Sequence, residues 1–217
     1  KENTIVKMIV YFDELDSVSD EVLEQILCRI PFGYRQKIEK SKKPASKRQR
    51  ILVYMLLKYC ILKEYPENEI GDFSYSEHGK PYIKGAEYHF NYTHTNSAVA
   101  CAVSQSPIGI DAQDIVLNYQ KVMYRACCNQ EIRWLRLSQQ PERDFTKLWA
   151  LKEAYIKQKG TGIWDAIDQL DFSGQTESAW ERWNRYFYLI NSFKYVIAVC
   201  SQKKEPQIKK VSLFDLL

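Results

Sequence analysis

The stretch IGIDAQDI, residues 108–115, sets two aspartates and a glycine among β-branched isoleucines. A fully buried strand normally carries only apolar side chains, so the charged residues need an explanation. Successive side chains of a strand point to opposite faces, so Asp111 and Gln113 share one face and Asp114 lies on the other. The stretch therefore predicts a strand with a functional carboxylate, Asp111, and a surface or supporting role for Asp114.

The composition is that of a globular protein. The 217 residues are 45% hydrophobic, enough for a core in one domain or two small ones. The longest apolar run, residues 51–57, is far shorter than the roughly 18 residues that suggest a membrane span. The first residues lack signal-peptide features, and the six cysteines show no CxxC spacing. We expect a cytoplasmic protein with reduced thiols and no membrane contact.

The order of the patterns predicts an α+β fold. A strand is expected at residues 4–12, an acidic helix at 19–30 and a long helix from Pro44 to Pro66. Three strands follow, at residues 88–92, 97–104 and 108–115. The second half predicts helical structure at 118–137, a strong helix at 142–159 and strands at 170–174, 184–191 and 194–201.

Two segments suggest an internal repeat. SAVACAVSQ at 97–105 and KYVIAVCSQ at 194–202 share valine, serine and glutamine in register. We therefore expect a pseudo-twofold arrangement of two similar α+β halves, residues 1–106 and 107–217. A site at the interface of such halves is a natural ligand cleft.

Positive charge is concentrated in residues 34–50, which contain eight Lys or Arg and one Glu. Such a block indicates a site for phosphate, nucleic acid or an acidic protein. A solvated helix face is the alternative interpretation.

A second chemical signal is FTKLWALKEAYIKQKGTGI, residues 145–163. Leu148, Leu151 and Tyr155 form an apolar stripe at helical spacing, while Glu153 and Lys157 are four residues apart and share one face. As a surface pair they would contribute only about 0.3–0.5 kcal/mol. Taken alone, the spacing does not separate that interpretation from a catalytic pair.

Read in order, HFNYTHT (89–95), IGIDAQD (108–114) and LWALKEAYIKQKG (148–160) resemble the three signature motifs of the long, surfactin-synthetase-activating type of 4′-phosphopantetheinyl transferase. GKPYI (79–83) matches a further element of that family. The resemblance covers residues 31–202. It implies Mg²⁺-dependent transfer of the phosphopantetheine arm of coenzyme A to a serine of an apo carrier protein, which releases adenosine 3′,5′-bisphosphate.

The resemblance also implies a metal centre. Asp111, Gln113 and Glu153 would hold Mg²⁺, or Mn²⁺, which are hard cations that prefer oxygen ligands. Gln113 stands where bacterial relatives often have a second acidic ligand, so we expect weaker Mg²⁺ binding with catalysis retained. Lys157 would stabilise the leaving group. Either Glu153 or a water molecule on the metal would take the serine proton, and the sequence does not choose between them.

Further residues are implied in coenzyme A binding. Thr93 and His94 would contact phosphate, as would Lys157, and Lys152 would make a second phosphate contact or a structural one. The 3′-phosphate would be bound by Arg35, Lys37 and Arg50. The adenine would pack against Gly79, Lys80 and Pro81.

Residues 116–128 mix aromatic, aliphatic and basic side chains, which suits docking of an acidic carrier protein or packing on the core. The resemblance implies a monomer that binds neither nucleic acid nor membrane. The carrier could belong to polyketide, nonribosomal peptide or fatty-acid synthesis, and tolerance for acylated coenzyme A is equally open. The alternative function is a non-catalytic module that binds coenzyme A or nucleic acid.

Overall fold

A computed structural model describes residues 7–67, 70–71, 73–162, 167–204 and 207–217, and its fold is α+β. The first half contains β1 (Lys7–Phe12), α1 (Asp20–Arg29), α2 (Phe32–Glu39), α3 (Pro44–Glu64), β2 (Phe73–Tyr75), β3 (Pro81–Ile83), β4 (His89–His94) and β5 (Val99–Ser104). The second contains β6 (Ile108–Asp114), α4 (Gln120–Ala126), α5 (Asn129–Leu137), α6 (Pro141–Lys159), β7 (Ala179–Arg182), β8 (Arg185–Asn191), β9 (Tyr195–Ser201), β10 (Gln207–Lys210) and α7 (Leu213–Leu216). Short 3-10 helices lie at Leu15–Ser17 and Ile167–Gln169.

Two four-stranded sheets organise these elements. The first has the strand order β10-β1-β5-β4 and the second has the order β6-β9-β8-β7, while β2 and β3 form a separate hairpin. All neighbours are antiparallel except β1 and β10. Strand β4 is an edge of the first sheet and β6 is an edge of the second, so these two edges can face each other where the sheets meet.

The core has three parts, because both sheets are covered on both faces. One apolar cluster lies between the first sheet and helices α1 and α3, and a second joins the other sheet to α4, α5 and α6. The third fills the space between the sheets with small and branched side chains from both, such as Ala100, Ala102, Ile108 and Ile110. Strands buried on both faces read as continuous apolar runs, and β5 (VACAVS) is one.

The two long helices have sequence-encoded ends. Each begins with a proline in its first turn, Pro44 in α3 and Pro141 in α6, where the missing N–H costs no hydrogen bond. Gly160 ends α6 in the left-handed conformation (φ 76°), which favours glycine. None of the helices in the described residues is both long and apolar enough to cross a bilayer.

Within the described residues, the structure differs from the predicted elements at residues 170–174 and at the end of the chain. The strand predicted at 170–174 is wrong: the Asp171 carboxylate accepts the N–H of Ser173 and turns the chain, and the strand of this region is β7. Residues 4–6 of the first predicted strand lie outside the described residues. Finally, β10 pairs with β1 and Leu216 joins the first core, so the end of the chain packs with the first half. The pseudo-twofold relation and the division at residue 107 stay predictions.

Candidate active site

Strand β6 presents Asp111 toward α6. Ile110 and Ala112 point into the space between the sheets, so the alternation of the strand turns Asp111 to the helix-covered face, where it is only 3% exposed. This placement agrees with the face predicted from the sequence.

Gly109 lets α6 approach this strand closely. A Cβ atom at this position would lie 2.0 Å from the carbonyl oxygen of Ala154 and 2.4 Å from the backbone nitrogen of Gln158. The side-chain amide of Gln158 also donates to the carbonyl of Pro107 at 3.2 Å. Helix α6 is therefore held against β6 along the turn that carries Glu153 and Lys157.

Both carboxylate oxygens of Asp111 have partners. The Lys157 ammonium lies 2.5 Å from Oδ1, and the side-chain amide of Gln113 donates to Oδ2 at 2.7 Å. The hydroxyl of Thr93 is a more distant donor to Oδ1 at 3.4 Å. The structure thus brings together four residues that the sequence analysis predicted from three separate motifs.

Glu153 is the second buried acid of this cluster, with 6% of its surface exposed. Burial raises the pKa of Glu153 above its ordinary value, the charge of Asp111 raises it further, and Lys157 opposes both effects. Two buried carboxylates thus face one ammonium group, which leaves negative charge for a further cation. The donor set, two carboxylates and the Gln113 amide, consists of hard oxygen ligands and fits Mg²⁺ or Mn²⁺.

Strand β4 joins β6 through side chains. Asn91 Oδ1 accepts the N–H of Ile110 at 3.0 Å, and Thr93 Oγ1 accepts the N–H of Ala112 at 3.1 Å. Side chains thus replace a backbone ladder where the two sheets meet. The sequence analysis missed Asn91, although its spacing of two residues from Thr93 places both on one face of a strand.

The end of β4 carries His94 into a cationic environment. Desolvation lowers the pKa of His94, the positive charges of Arg50 and Lys157 lower it further, and Asp111 opposes them. Of the three basic residues predicted to hold the 3′-phosphate, Arg50 is therefore the one whose charge lowers the pKa of His94.

Two adjoining cavities make up the cleft. One, of about 500 Å³, is lined by residues that include Thr93, His94, Asp111 and Gln113. The other, of about 280 Å³, is lined by residues that include Gly79, Lys80, Pro81 and Glu153. Tyr92 and Lys157 line both cavities. The cleft is therefore bounded by both halves of the chain.

Arg35 and Lys37 of α2 interact outside these cavities. Arg35 lies 3.8 Å from Glu39 in its own helix, and the Lys37 ammonium lies 4.1 Å from the centre of the Tyr75 ring. Neither is among the described residues that line the two cavities. Their predicted contact with the 3′-phosphate stays a prediction.

Lys152 requires a correction. Its side chain is fully buried, and its ammonium group donates to Glu131 Oε2 at 2.5 Å and to the carbonyls of Ala126 and Ile167 at 2.6 and 2.9 Å. With three acceptors for three protons and no exposed surface, the group is not available to a phosphate. Lys152 takes the structural role that the sequence had left as one of two alternatives.

Lys80 lines the smaller cavity, but its ammonium group is bound to the main chain. Its ammonium group donates to the carbonyls of Lys157 at 2.6 Å and Gln158 at 3.3 Å, at the end of α6.

Asp114 is the second acid of the stretch IGIDAQDI. Its carboxylate accepts the N–H of Asn96 at 3.0 Å and so connects β6 to the turn after β4.

Comparisons with known proteins agree with this arrangement. Residues 107–200 match the model of the 4′-phosphopantetheinyl transferase superfamily. A 4′-phosphopantetheinyl transferase of Bacillus subtilis is 28% identical over 159 residues, which are 71% of this chain and 70% of the relative. For psf-1 of Bacillus pumilus the identity is 31% over 68% of this chain and 65% of the relative. The identity to gsp of Aneurinibacillus migulanus is 34%, over 52% of this chain and 48% of the relative.

The aligned region thus spans between about half and 70% of the length of these relatives. The match to the family model, residues 107–200, contains both the strand with Asp111 and the helix with Glu153 and Lys157. Residues 107–200 thus match a domain of the 4′-phosphopantetheinyl transferase superfamily, and the chain is similar to curated transferases of that name.

Proposed function

We propose that this protein transfers the 4′-phosphopantetheine arm of coenzyme A to a serine of an apo carrier protein and releases adenosine 3′,5′-bisphosphate. The observation that supports this most directly is the convergence of Asp111, Glu153 and Lys157 in the cleft between the halves. The names of the relatives support the same activity.

Asp111, Glu153 and the Gln113 amide oxygen are the proposed ligands of Mg²⁺ or Mn²⁺. The chemistry that such an ion supplies when bound is neutralisation of the pyrophosphate charge that would otherwise repel an oxygen nucleophile. The proposal is supported by the burial of both carboxylates and by the excess of negative charge that they leave beside Lys157.

Glu153 is the proposed general base. In the transfer, the serine oxygen forms a bond to the phosphorus that carries the pantetheine arm. The bond from this phosphorus to the bridging oxygen breaks, the electron pair leaves with adenosine 3′,5′-bisphosphate, and the serine proton passes to Glu153. Burial and the charge of Asp111 raise the pKa of Glu153 above its ordinary value, and this direction favours a base. Lys157 would stabilise the charge that develops on the leaving oxygen.

Coenzyme A would lie along both cavities. Thr93 and His94 line the larger one and are proposed phosphate contacts, with Arg50 close enough to His94 to affect its pKa. Residues 79–81 line the smaller one and are the proposed adenine contact. Arg35 and Lys37 are proposed for the 3′-phosphate on the family resemblance alone.

The carrier protein is proposed to dock beside α4. Within residues 116–128, Leu117 (72%), Val122 (38%) and Tyr124 (66%) are exposed, whereas Tyr119 and Met123 are buried in the core. The segment follows β6 directly, so a carrier bound there would be near the strand that carries Asp111. Exposed apolar groups among basic ones suit an acidic amphipathic partner. The protein is proposed to bind this partner as a monomer.

The test is an incubation of the protein with coenzyme A, Mg²⁺ and several apo carrier proteins, analysed by mass spectrometry for the added arm. Asp111→Ala and Glu153→Ala should each abolish the modification, while Glu177→Ala, at an exposed position, should not. If no carrier gains mass while a known transferase works under the same conditions, the proposed function is wrong.

The same experiment separates the alternative function. A non-catalytic module would bind coenzyme A without transfer and without need of Mg²⁺ or Glu153. Binding of nucleic acid would instead be recognised by an affinity that falls steeply with salt.

A further inference from the structure

The side chain of Lys80 reaches from the loop between β2 and β3 to the end of α6. Its ammonium group lies 2.6 Å from the carbonyl oxygen of Lys157 and 3.3 Å from that of Gln158. A third acceptor at 3.4 Å, the carbonyl of Ile108, belongs to the first residue of β6. An ammonium group has three protons, so each carbonyl can receive one.

The end of α6 needs such a donor. The last four carbonyls of a helix have no partner within it, and they form the negative end of the helix dipole. The N–H of Gly160 binds the carbonyl of Ile156 at 2.8 Å, and the chain then turns away. Lys80, 77 positions earlier in the chain than Lys157, supplies a positive charge and donors to the next two carbonyls.

This contact leaves the ammonium of Lys80 poorly suited to a ligand. Burial lowers the pKa of Lys80, and the protons are directed at main-chain oxygens rather than at the cleft. Lys80 lines the smaller cavity together with its neighbours Gly79 and Pro81, while its ammonium group is bound to the main-chain carbonyls. The loop can therefore face a ligand while the ammonium group of Lys80 holds α6.

We infer that Lys80 is a positioning residue, which anchors the 79–81 loop to the end of α6 and so holds Lys157 and Glu153 in register with Asp111. The carbonyl that accepts the shortest of these bonds belongs to Lys157, whose own ammonium pairs with Asp111. One side chain thus connects the loop beside the smaller cavity to the residue proposed to stabilise the leaving group. The catalytic part of this inference rests on the proposed function.

The test compares Lys80→Met with Lys84→Met, which removes the same charge from an exposed position next to the same hairpin. Lys80→Met should lower kcat about tenfold or more, because small displacements of catalytic groups are costly, and should change the KM for coenzyme A by less than about threefold. Hydrogen–deuterium exchange of the ligand-free protein should be faster at residues 156–160 in Lys80→Met only. Lys80→Arg, which keeps a charge and N–H donors, should restore slow exchange and most of kcat.

A large rise in KM with unchanged kcat would identify Lys80 as a coenzyme A ligand and overturn the inference, and so would unchanged exchange at residues 156–160. If Lys80→Met does not fold, Lys80→Gln, which loses the charge but keeps an N–H donor, takes its place and is judged by the same two criteria. The exchange measurement needs no substrate. An enzyme that modifies no carrier, yet shows the expected exchange, would therefore refute the proposed function and leave the anchor standing.

Discussion

The ammonium group of Lys157 lies 2.5 Å from Oδ1 of Asp111 and joins α6 to β6 inside the cleft. Asp111 is almost fully buried, whereas the Lys157 side chain is 30% exposed. Because the proposed divalent ion would use the same carboxylate, we expect Lys157 and the ion to compete for Asp111 in the protein without substrate.

Lys157→Met should therefore bind Mn²⁺ more tightly than the wild type when coenzyme A is absent, while turnover falls about a hundredfold because the leaving group loses its cation. Titration followed by electron paramagnetic resonance measures the binding, and a carrier assay measures turnover. Lys84→Met is the charge-matched control. Equal Mn²⁺ affinity in Lys157→Met and the wild type would show that the ion pair does not oppose the metal.

Gln113→Glu places a second carboxylate against Asp111, whose Oδ2 now accepts the Gln113 amide at 2.7 Å. Without metal the two charges repel, so the melting temperature should fall; with Mg²⁺ it should rise more than in the wild type. Half-maximal activity should also need less Mg²⁺. Thermal melts with and without Mg²⁺ and a Mg²⁺ titration of activity check both effects. If neither the melting temperature nor the Mg²⁺ requirement changes, the side chain at position 113 does not contact the metal.

Gly109→Ala introduces a Cβ atom only 2.0 Å from the backbone oxygen of Ala154, so α6 must move away from β6. We expect a loss of about 3 kcal/mol or more in the free energy of unfolding, since overpacking against backbone has no flexible side chain to relieve it. Gly71→Ala is the control, because its Cβ would make only an ordinary contact, 3.5 Å from Ile83. Urea denaturation compares the two, and equal stability would contradict the close approach.

Lys152→Met leaves the Glu131 carboxylate buried without its cation, which typically costs about 3–5 kcal/mol. Adding Glu131→Gln removes the unpaired charge, so the double variant should recover part of the loss. Urea denaturation measures both. The affinity of the folded single variant for coenzyme A should equal that of the wild type, and a strongly weakened affinity would restore Lys152 as a phosphate ligand.

Glu153→Gln should stabilise the metal-free protein at neutral pH. Burial raises the pKa of folded Glu153 above its ordinary value of 4.5, so between the two values the folded state holds a proton that the unfolded state has lost. Wild-type stability therefore contains a contribution that is present at low pH and is lost as the pH rises through the folded pKa. Melting curves in chelator from pH 4 to pH 8 should show a growing advantage of Glu153→Gln over the wild type. A difference in melting temperature between the two proteins that stays constant with pH would contradict the raised pKa of Glu153.

The sequence determined the features that depend on local periodicity. The alternation in IGIDAQDI predicted the face of Asp111, and the spacing of four residues predicted that Glu153 and Lys157 lie together on α6. The order of the motifs predicted the α+β fold and the resemblance to the family, which the structure and the comparisons confirm. The strand at 170–174 was predicted wrongly, because an aspartate side chain turns the chain within an apolar segment.

Only the tertiary structure decided what the three lysines 80, 152 and 157 contact, all of which the family resemblance had connected with coenzyme A. Lys152 and Lys157 are five residues apart, so they are separated by about 140° around the helix and face different surroundings. Lys152 meets Glu131 in the core, Lys157 meets Asp111 in the cleft, and Lys80 meets the end of α6. A lysine takes its role from the acceptors around its ammonium group. In this fold those acceptors lie 15 to 78 positions away along the chain, and only packing brings them into reach.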